Sequence, residues 1–269
     1  MNFHLTIFFL CLSIFAFSQN GAPPTAGARG TAMGNASVAF DDLSGGLANQ
    51  AALANLETLQ AGVFAEQRFL IADLNSFSGL FALPTNSGTF GLSLNYFGFD
   101  AYNEQKIGIA YARKFSKKVS VGAQVDYLNT SIEEYGNKGV ITFELGLQYE
   151  LSEELCVGTH IYNPIRTEVN LEENLPTIFK LGAAYTPAEN LTVAAEVEKD
   201  LEYDARFKMG LEYGFVDALD LRIGIASNPT SLTFGLGLNL KENFFLDFAS
   251  AYHQVLGFSP SIGIIYRGN

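Results

Sequence analysis

A five-residue unit recurs along the second half of this chain and limits what it can become. Ile107-Gly-Ile-Ala-Tyr111, Leu145-Gly-Leu-Gln-Tyr149, Leu181-Gly-Ala-Ala-Tyr185, Met209-Gly-Leu-Glu-Tyr213 and Ile262-Gly-Ile-Ile-Tyr266 share one form, and Leu236-Gly-Leu-Asn-Leu240 repeats it without the Tyr. Successive copies begin 38, 36, 28, 27 and 26 residues apart, which is one β-hairpin each time. Side chains alternate sides along a strand, so the first, third and fifth residues share a face and the glycine lies on the other. That shared face is apolar and ends on tyrosine. A unit returning once per hairpin in constant phase requires an antiparallel meander with every tyrosine at the same end.

Period-two alternation extends this pattern to fourteen strands, over 57–66, 69–83, 88–98, 105–115, 118–129, 140–150, 155–162, 178–187, 191–199, 206–215, 219–226, 231–240, 244–252 and 259–266. Most match the 9–11 residues of a tilted strand that crosses a bilayer. One face carries Val121, Val125, Ile141, Phe143, Leu145, Val197, Phe207, Leu211, Ile223, Phe234 and Phe248. The other carries Glu144, His160, Lys180, Glu196, Glu198, Lys208, Glu212 and Arg222, with Lys106, Gln124, Asp126, Gln148 and Asp247. Lys180 and Glu196 are placed to pair across neighbouring strands. Connections after even strands are short and polar. After odd strands several are longer, at 99–104, 130–139 and 163–177.

Charged residues make up only 16% of the chain, against about 25% in soluble domains, and no later stretch is apolar enough for a membrane helix. A soluble β-sandwich would show the same alternation with its faces reversed. Scarce charge, the asymmetry of the turns, an even strand count and a rim of tyrosines (Tyr111, Tyr149, Tyr185, Tyr213 and Tyr266) favour an all-β, 14-stranded antiparallel transmembrane β-barrel. The tyrosines form an aromatic belt, with rings in lipid and hydroxyls reaching water.

Residues 1–18 form a signal peptide, with an apolar run over 5–17 and Ala16-Phe17-Ser18 as a small-x-small cleavage site. Its removal puts the mature chain beyond the cytoplasm, in the outer membrane of a Gram-negative bacterium, with Cys156 as its single cysteine. Residues 57–269 make the barrel. Between them, 19–56 holds the dense Gly/Ala stretch 27–56, too irregular for a strand and too apolar for a tail. A fourteen-strand barrel is too wide for its own side chains to fill. Small inward residues such as Gly146, Gly182 and Gly210 leave room, so the stretch is expected as a hatch in the lumen. Its polar residues Arg29, Asp41, Asp42 and Asn49 must find partners there, and they anchor or gate it.

Other classes are poorly served. A net charge of −12 argues against nucleic acid. The mature chain has two histidines, His160 and His253, on distant strands, and neither has a nucleophile or paired carboxylate placed by sequence, so no enzyme, metal or cofactor is expected. His160 is expected to make a satisfied hydrogen bond in the lumen. A glycine-led kink in the third strand, at Gly88, Gly91 or Gly98, is the expected place for a wall opening.

The leading stretch resembles the hatch signature of the long-chain fatty-acid transporter (FadL-like) superfamily and its PorV/PorQ relatives in Bacteroidetes-type bacteria. The matching residues are Arg29, Met33-Gly34-Asn35-Ala36-Ser37-Val38-Ala39, Asp41-Asp42, Asn49 and Ala51-Ala52-Leu53. The runs 207–213, 232–238 and 246–252 are similar to the closing strands of PorV-type barrels. The resemblance implies a fourteen-stranded barrel in outer-membrane lipid, its hatch folded into the lumen. It implies one of two roles: passage of hydrophobic small molecules through a wall opening, or service as a partner of type IX secretion components. Gln50 stands where the family usually carries proline after the asparagine.

Overall fold

The alternation closes on itself. In the computed structural model, which describes residues 26–170, 173–240 and 243–268, fourteen antiparallel strands form a closed barrel. The expected signal peptide, 1–18, lies outside the described residues. The strands run β1 (Gln60–Gln67), β2 (Asn75–Thr85), β3 (Gly88–Phe99), β4 (Tyr102–Lys114), β5 (Val119–Ile132), β6 (Gly136–Glu150) and β7 (Leu155–Tyr162). A loop ladder of β8 (Glu168–Asn170) and β9 (Glu173–Asn174) follows, outside the wall. The wall resumes with β10 (Ile178–Ala188), β11 (Leu191–Asp200), β12 (Arg206–Val216), β13 (Leu219–Ala226), β14 (Ser231–Leu240), β15 (Phe244–His253) and β16 (Gly257–Arg267). Each wall strand pairs with the next one along the chain, β7 with β10 across the loop ladder, and β1 closes on β16 with Gln60 opposite Arg267 and Ala65 opposite Ile262.

The two faces sort as the alternation requires. Val125, Ile141, Leu145, Phe207, Ile223 and Phe234 point outward and are exposed, while Asp126, Glu144, His160, Glu196, Lys208 and Arg222 face in and are buried. This inverts a water-soluble barrel and is the arrangement a bilayer solvates. The five repeat tyrosines all lie outward near the short-turn end. Two of them meet a neighbouring phenylalanine, Phe90–Tyr111 at 5.1 Å and Phe244–Tyr266 at 5.2 Å between ring centroids.

Several expected boundaries move. The expected strand over 69–83 starts late. Phe69 and Leu70 have positive φ (56° and 58°), short 3-10 turns occupy Arg68–Leu70 and Ala72–Leu74, and the strand begins at Asn75. The loops expected over 99–104 and 130–139 are mostly strand. β5 and β6 pair out to Ile132 opposite Gly136, and β3 and β4 to Phe99 opposite Tyr102. Polar residues there hid the strand signal, because a strand that runs beyond the apolar band has no need to alternate. The long connection over 163–177 does occur. Buried Asn163 organises it, accepting from the Thr142 hydroxyl at 2.8 Å and the Thr167 amide at 2.9 Å, and donating to the Leu175 carbonyl at 2.9 Å. Leu175 then packs on Leu128 and covers that side of the lumen.

The N-terminal segment is inside the barrel and supplies its hydrophobic core. Helix α1 (Gly27–Ala32), helix α2 (Leu43–Gly46) and a 3-10 helix at Gln50–Asn55 are too short to stand alone and rest on the wall. Leu43, Leu47 and Leu53 pack with inward Phe64, Leu80, Ala82, Ala110 and Ile265. Met33, Ala36 and Phe40 pack on Ala184 and Ala194. Each fully buried leucine contributes about 1.5–3 kcal/mol. The repeat glycine explains the fit. A Cβ at Gly210 would lie 2.5 Å from the Met33 carbonyl oxygen and 2.7 Å from Met33 Cα, so the wall is bare where the hatch backbone touches it. At the same place Gly34, with φ +67°, runs against the backbone of β12 and β13.

Candidate functional site

Polar ties hold the segment to the wall. Arg29 at the end of α1 forks onto Glu212 of β12, Nε donating at 2.8 Å and Nη2 at 2.6 Å, while Nη1 donates to Asp42 at 2.7 Å. Burial works against the Arg29 charge, but Glu212 and Asp42 outweigh it and hold its pKa well above the ordinary arginine value. Asp42 also caps α2 by accepting from the Gly45 amide at 2.9 Å. Glu212 is shared with Arg222, which reaches on to Asp247 at 2.5 Å. Glu196 of β11 accepts from the Ser37 and Val38 amides at 2.8 and 2.9 Å. Asn49 donates to the Val38 carbonyl at 2.7 Å and caps the 3-10 helix through the Ala51 amide at 3.1 Å. Asp41 is exposed and takes no part in these ties.

Gln50, where the resembled family has proline, makes a further tie to the wall. Its amide donates to Glu144 at 2.5 Å. Glu144 also receives Lys106 at 2.7 Å and meets His160 Nε2 at 2.9 Å. Lys106 reaches Asp126 at 3.8 Å as well. The expected Lys180–Glu196 pair does not form. The register sets Lys180 opposite Glu198, at 3.9 Å, and turns Glu196 toward Lys208 at 2.8 Å. A two-residue difference in register was enough, because sequence spacing does not specify which residues stand opposite. The contacts of Gln50 and Asn55 on the segment, and of Gln148 and Thr233 on the wall, carried no signal in the sequence. Lone amides and hydroxyls on an inward face carry no signature of what lies across the lumen.

Three spaces lie in succession along β1. A vestibule of about 330 Å³ lies beneath the connections at 68–74, 201–205 and 227–230 and is lined by polar residues including Lys180, Glu198, Asp200 and Lys208. A small space of about 20 Å³ follows, bounded by Gly27, Ala28, Phe64 and Ser78. It shares Glu66 and Arg68 with the vestibule. On the outer wall, a notch of about 590 Å³ is lined by Val63, Phe77, Gly79, Leu94, Ile107 and Ile264, and it shares Phe64, Ala65 and Ser78 with the small space. Outward Gly79 has open space where a Cβ would stand, apart from one backbone oxygen at 3.9 Å. The Phe64 ring lies against Gly27 and closes the line. The wall is closed at the third strand, where an opening was expected, and equally at β1 and β2, whose register is also continuous. Gly91 of β3 faces Leu53 of the N-terminal segment, and the notch spans β16 and β1 to β4.

The fold is thus a fourteen-stranded antiparallel barrel whose lumen holds its own N-terminal segment. No protein-family model matches the sequence, and no curated protein sequence matches it. Solved structures do. The chain is similar to the Ralstonia pickettii toluene transporter TbuX (TM-score 0.72, 15% identity, 90% of this chain and 98% of that one). It is similar to the CymD monoaromatic hydrocarbon channel (TM-score 0.71, 15% identity, 91% and 98%). A third likeness is to a Pseudomonas aeruginosa FadL homologue (TM-score 0.65, 12% identity, 91% and 98%). At these identities the likeness is one of fold, extending over nearly the whole of both chains.

Proposed function

We propose that this protein is an outer-membrane channel that passes hydrophobic small molecules, with residues 26–56 as its hatch and a lateral exit at the β1–β2 wall. The observation that carries this reading is the line of shared residues from vestibule to Phe64 to outer notch. A solute entering at the long-connection end meets the hatch, turns at Phe64 and leaves between strands into lipid, where an apolar molecule is already at low free energy. Passage needs the Phe64 ring to swing off Gly27 and the local β1–β2 pairing to part. The fold neighbours, a toluene transporter and a monoaromatic hydrocarbon channel, support the substrate class. Arg29, Asp42, Asn49 and Gln50 anchor the hatch, and the five tyrosines mark the membrane interface on the short-turn side.

Proteoliposomes test it. Radiolabelled toluene or a larger aromatic should enter protein-containing vesicles faster than protein-free ones, and Phe64→Ala should raise that rate. Equal rates in both preparations refute the reading. A second reading, an accessory of type IX secretion, rests on apolar residues at the long-connection end. Tyr135 is 87% exposed and Val255 85% exposed, as on a docking surface. It requires loss of secretion when these are changed to serine, with flux unaltered.

A further inference from the structure

The vestibule is not lined as a site for a bare hydrocarbon. Four cations line it, Lys180, Lys208, Arg206 and Arg68. Four carboxylates oppose them, Glu198, Asp200, Asp204 and Glu66, so the formal charge of the space balances. A carboxylate or ammonium solute entering it loses hydration without a net opposite charge to replace it. Several lining groups have hydrogen-bonding capacity to spare. The Thr31 hydroxyl, Asn35 Oδ1, Asp200 Oδ2 and Arg206 Nε are buried without a partner. Thr31 is 3% exposed and Asp200 8%. Lys180 meets Glu198 only at 3.9 Å, whereas Lys208 holds Glu198 at 2.7 Å. Asp200 accepts the Glu202 amide through its other oxygen, so the unpartnered atoms, which include both donors and acceptors, are spare capacity on side chains already held in place.

We infer that the vestibule binds the uncharged, hydroxyl-bearing head of an amphipathic solute, whose apolar tail points at Phe64 and the β1–β2 notch. Every hydroxyl both donates and accepts, which matches the mixed set of unpartnered groups. The tail is matched by the apolar lining beyond Phe64. This inference rests on the channel reading above and narrows its substrate class.

Equilibrium binding to the full mature chain in lipid nanodiscs tests it with four probes sharing one tail, octyl glucoside, octanoate, octylammonium and octane, each below its micellar concentration. Glucose without the tail is the fifth. Octyl glucoside should bind about tenfold tighter than the others. Thr31→Val should weaken it about threefold, as loss of one neutral hydrogen bond does. Asp200→Asn, which leaves the vestibule net positive, should move preference toward octanoate, and Lys180→Gln toward octylammonium. A purely structural role for these residues would not move preference in opposite directions. Octanoate or octylammonium binding best to the unaltered protein overturns the inference, as do equal binding of all four tailed probes and glucose binding as well as its octyl derivative. Toluene flux is read separately. If toluene fails to cross, the channel reading falls on its own account. If toluene crosses and the head groups are not distinguished, only this inference falls.

Discussion

Removing the guanidinium of Arg29 is the sharpest perturbation of the hatch. Arg29→Met keeps the length and apolar stem of the side chain and deletes three hydrogen bonds, two to Glu212 and one to Asp42, together with a stacking contact at 4.5 Å on the Phe40 ring. The groups are largely enclosed, with Arg29, Asp42 and Glu212 side chains 17%, 16% and 13% exposed. Breaking one side of a buried pair costs about 3–5 kcal/mol. The lower end applies because Glu212 keeps Arg222 and Asp42 keeps the Gly45 amide. About 3 kcal/mol multiplies the population of the displaced hatch by roughly a hundredfold. Protease cleavage within 26–56, in protein whose barrel resists heat in detergent as before, should quicken by that order. Opening events in planar bilayers should become more frequent. Arg29→Lys should recover part of the loss, since it restores the charge but not the fork. Unchanged protection and conductance in Arg29→Met would refute the anchoring argument. A barrel that melts together with its hatch would show instead that the two form one cooperative unit.

Gly210→Val should displace the hatch near Met33, costing about 1–3 kcal/mol by overpacking, whereas Gly79→Ala on the outer wall should leave thermal stability within about 0.5 kcal/mol; denaturation midpoints compare them. Asn163→Ala removes the hydrogen bonds that gather the 163–177 connection. It should make that loop the first site of limited proteolysis, with the barrel intact. The chain has no tryptophan, so single replacements report depth cleanly: Tyr149→Trp should be quenched most by lipid brominated near the headgroup, and Phe143→Trp by lipid brominated near the chain end.

Strand number, antiparallel order, the assignment of faces and the end that carries the tyrosines were legible in the chain itself. Each is a local property: alternation is written residue by residue, and the repeat at Ile107, Leu145, Leu181, Met209 and Ile262 fixes the phase of every second strand. The need for a filled lumen was legible too, because small inward residues and a Gly/Ala-rich leader are complementary in composition. The partners across the lumen were not. Glu196 was read as a partner for Lys180 and holds the Ser37 and Val38 amides with Lys208 instead. Asp41 read like Asp42 and is exposed, because only one of two adjacent residues in the turn before α2 can face Arg29. Gln50 read as a lost proline and is a tie to Glu144. The outer notch spans β16 and β1 to β4, with outward Gly79 beside inward Phe64 and Ser78 near its middle, a placement that no single glycine-rich strand announces. Periodicity is determined along the chain, whereas registration between the hatch and the wall is set by closure of the barrel, and that placed Arg29, Gln50 and Phe64 where they act.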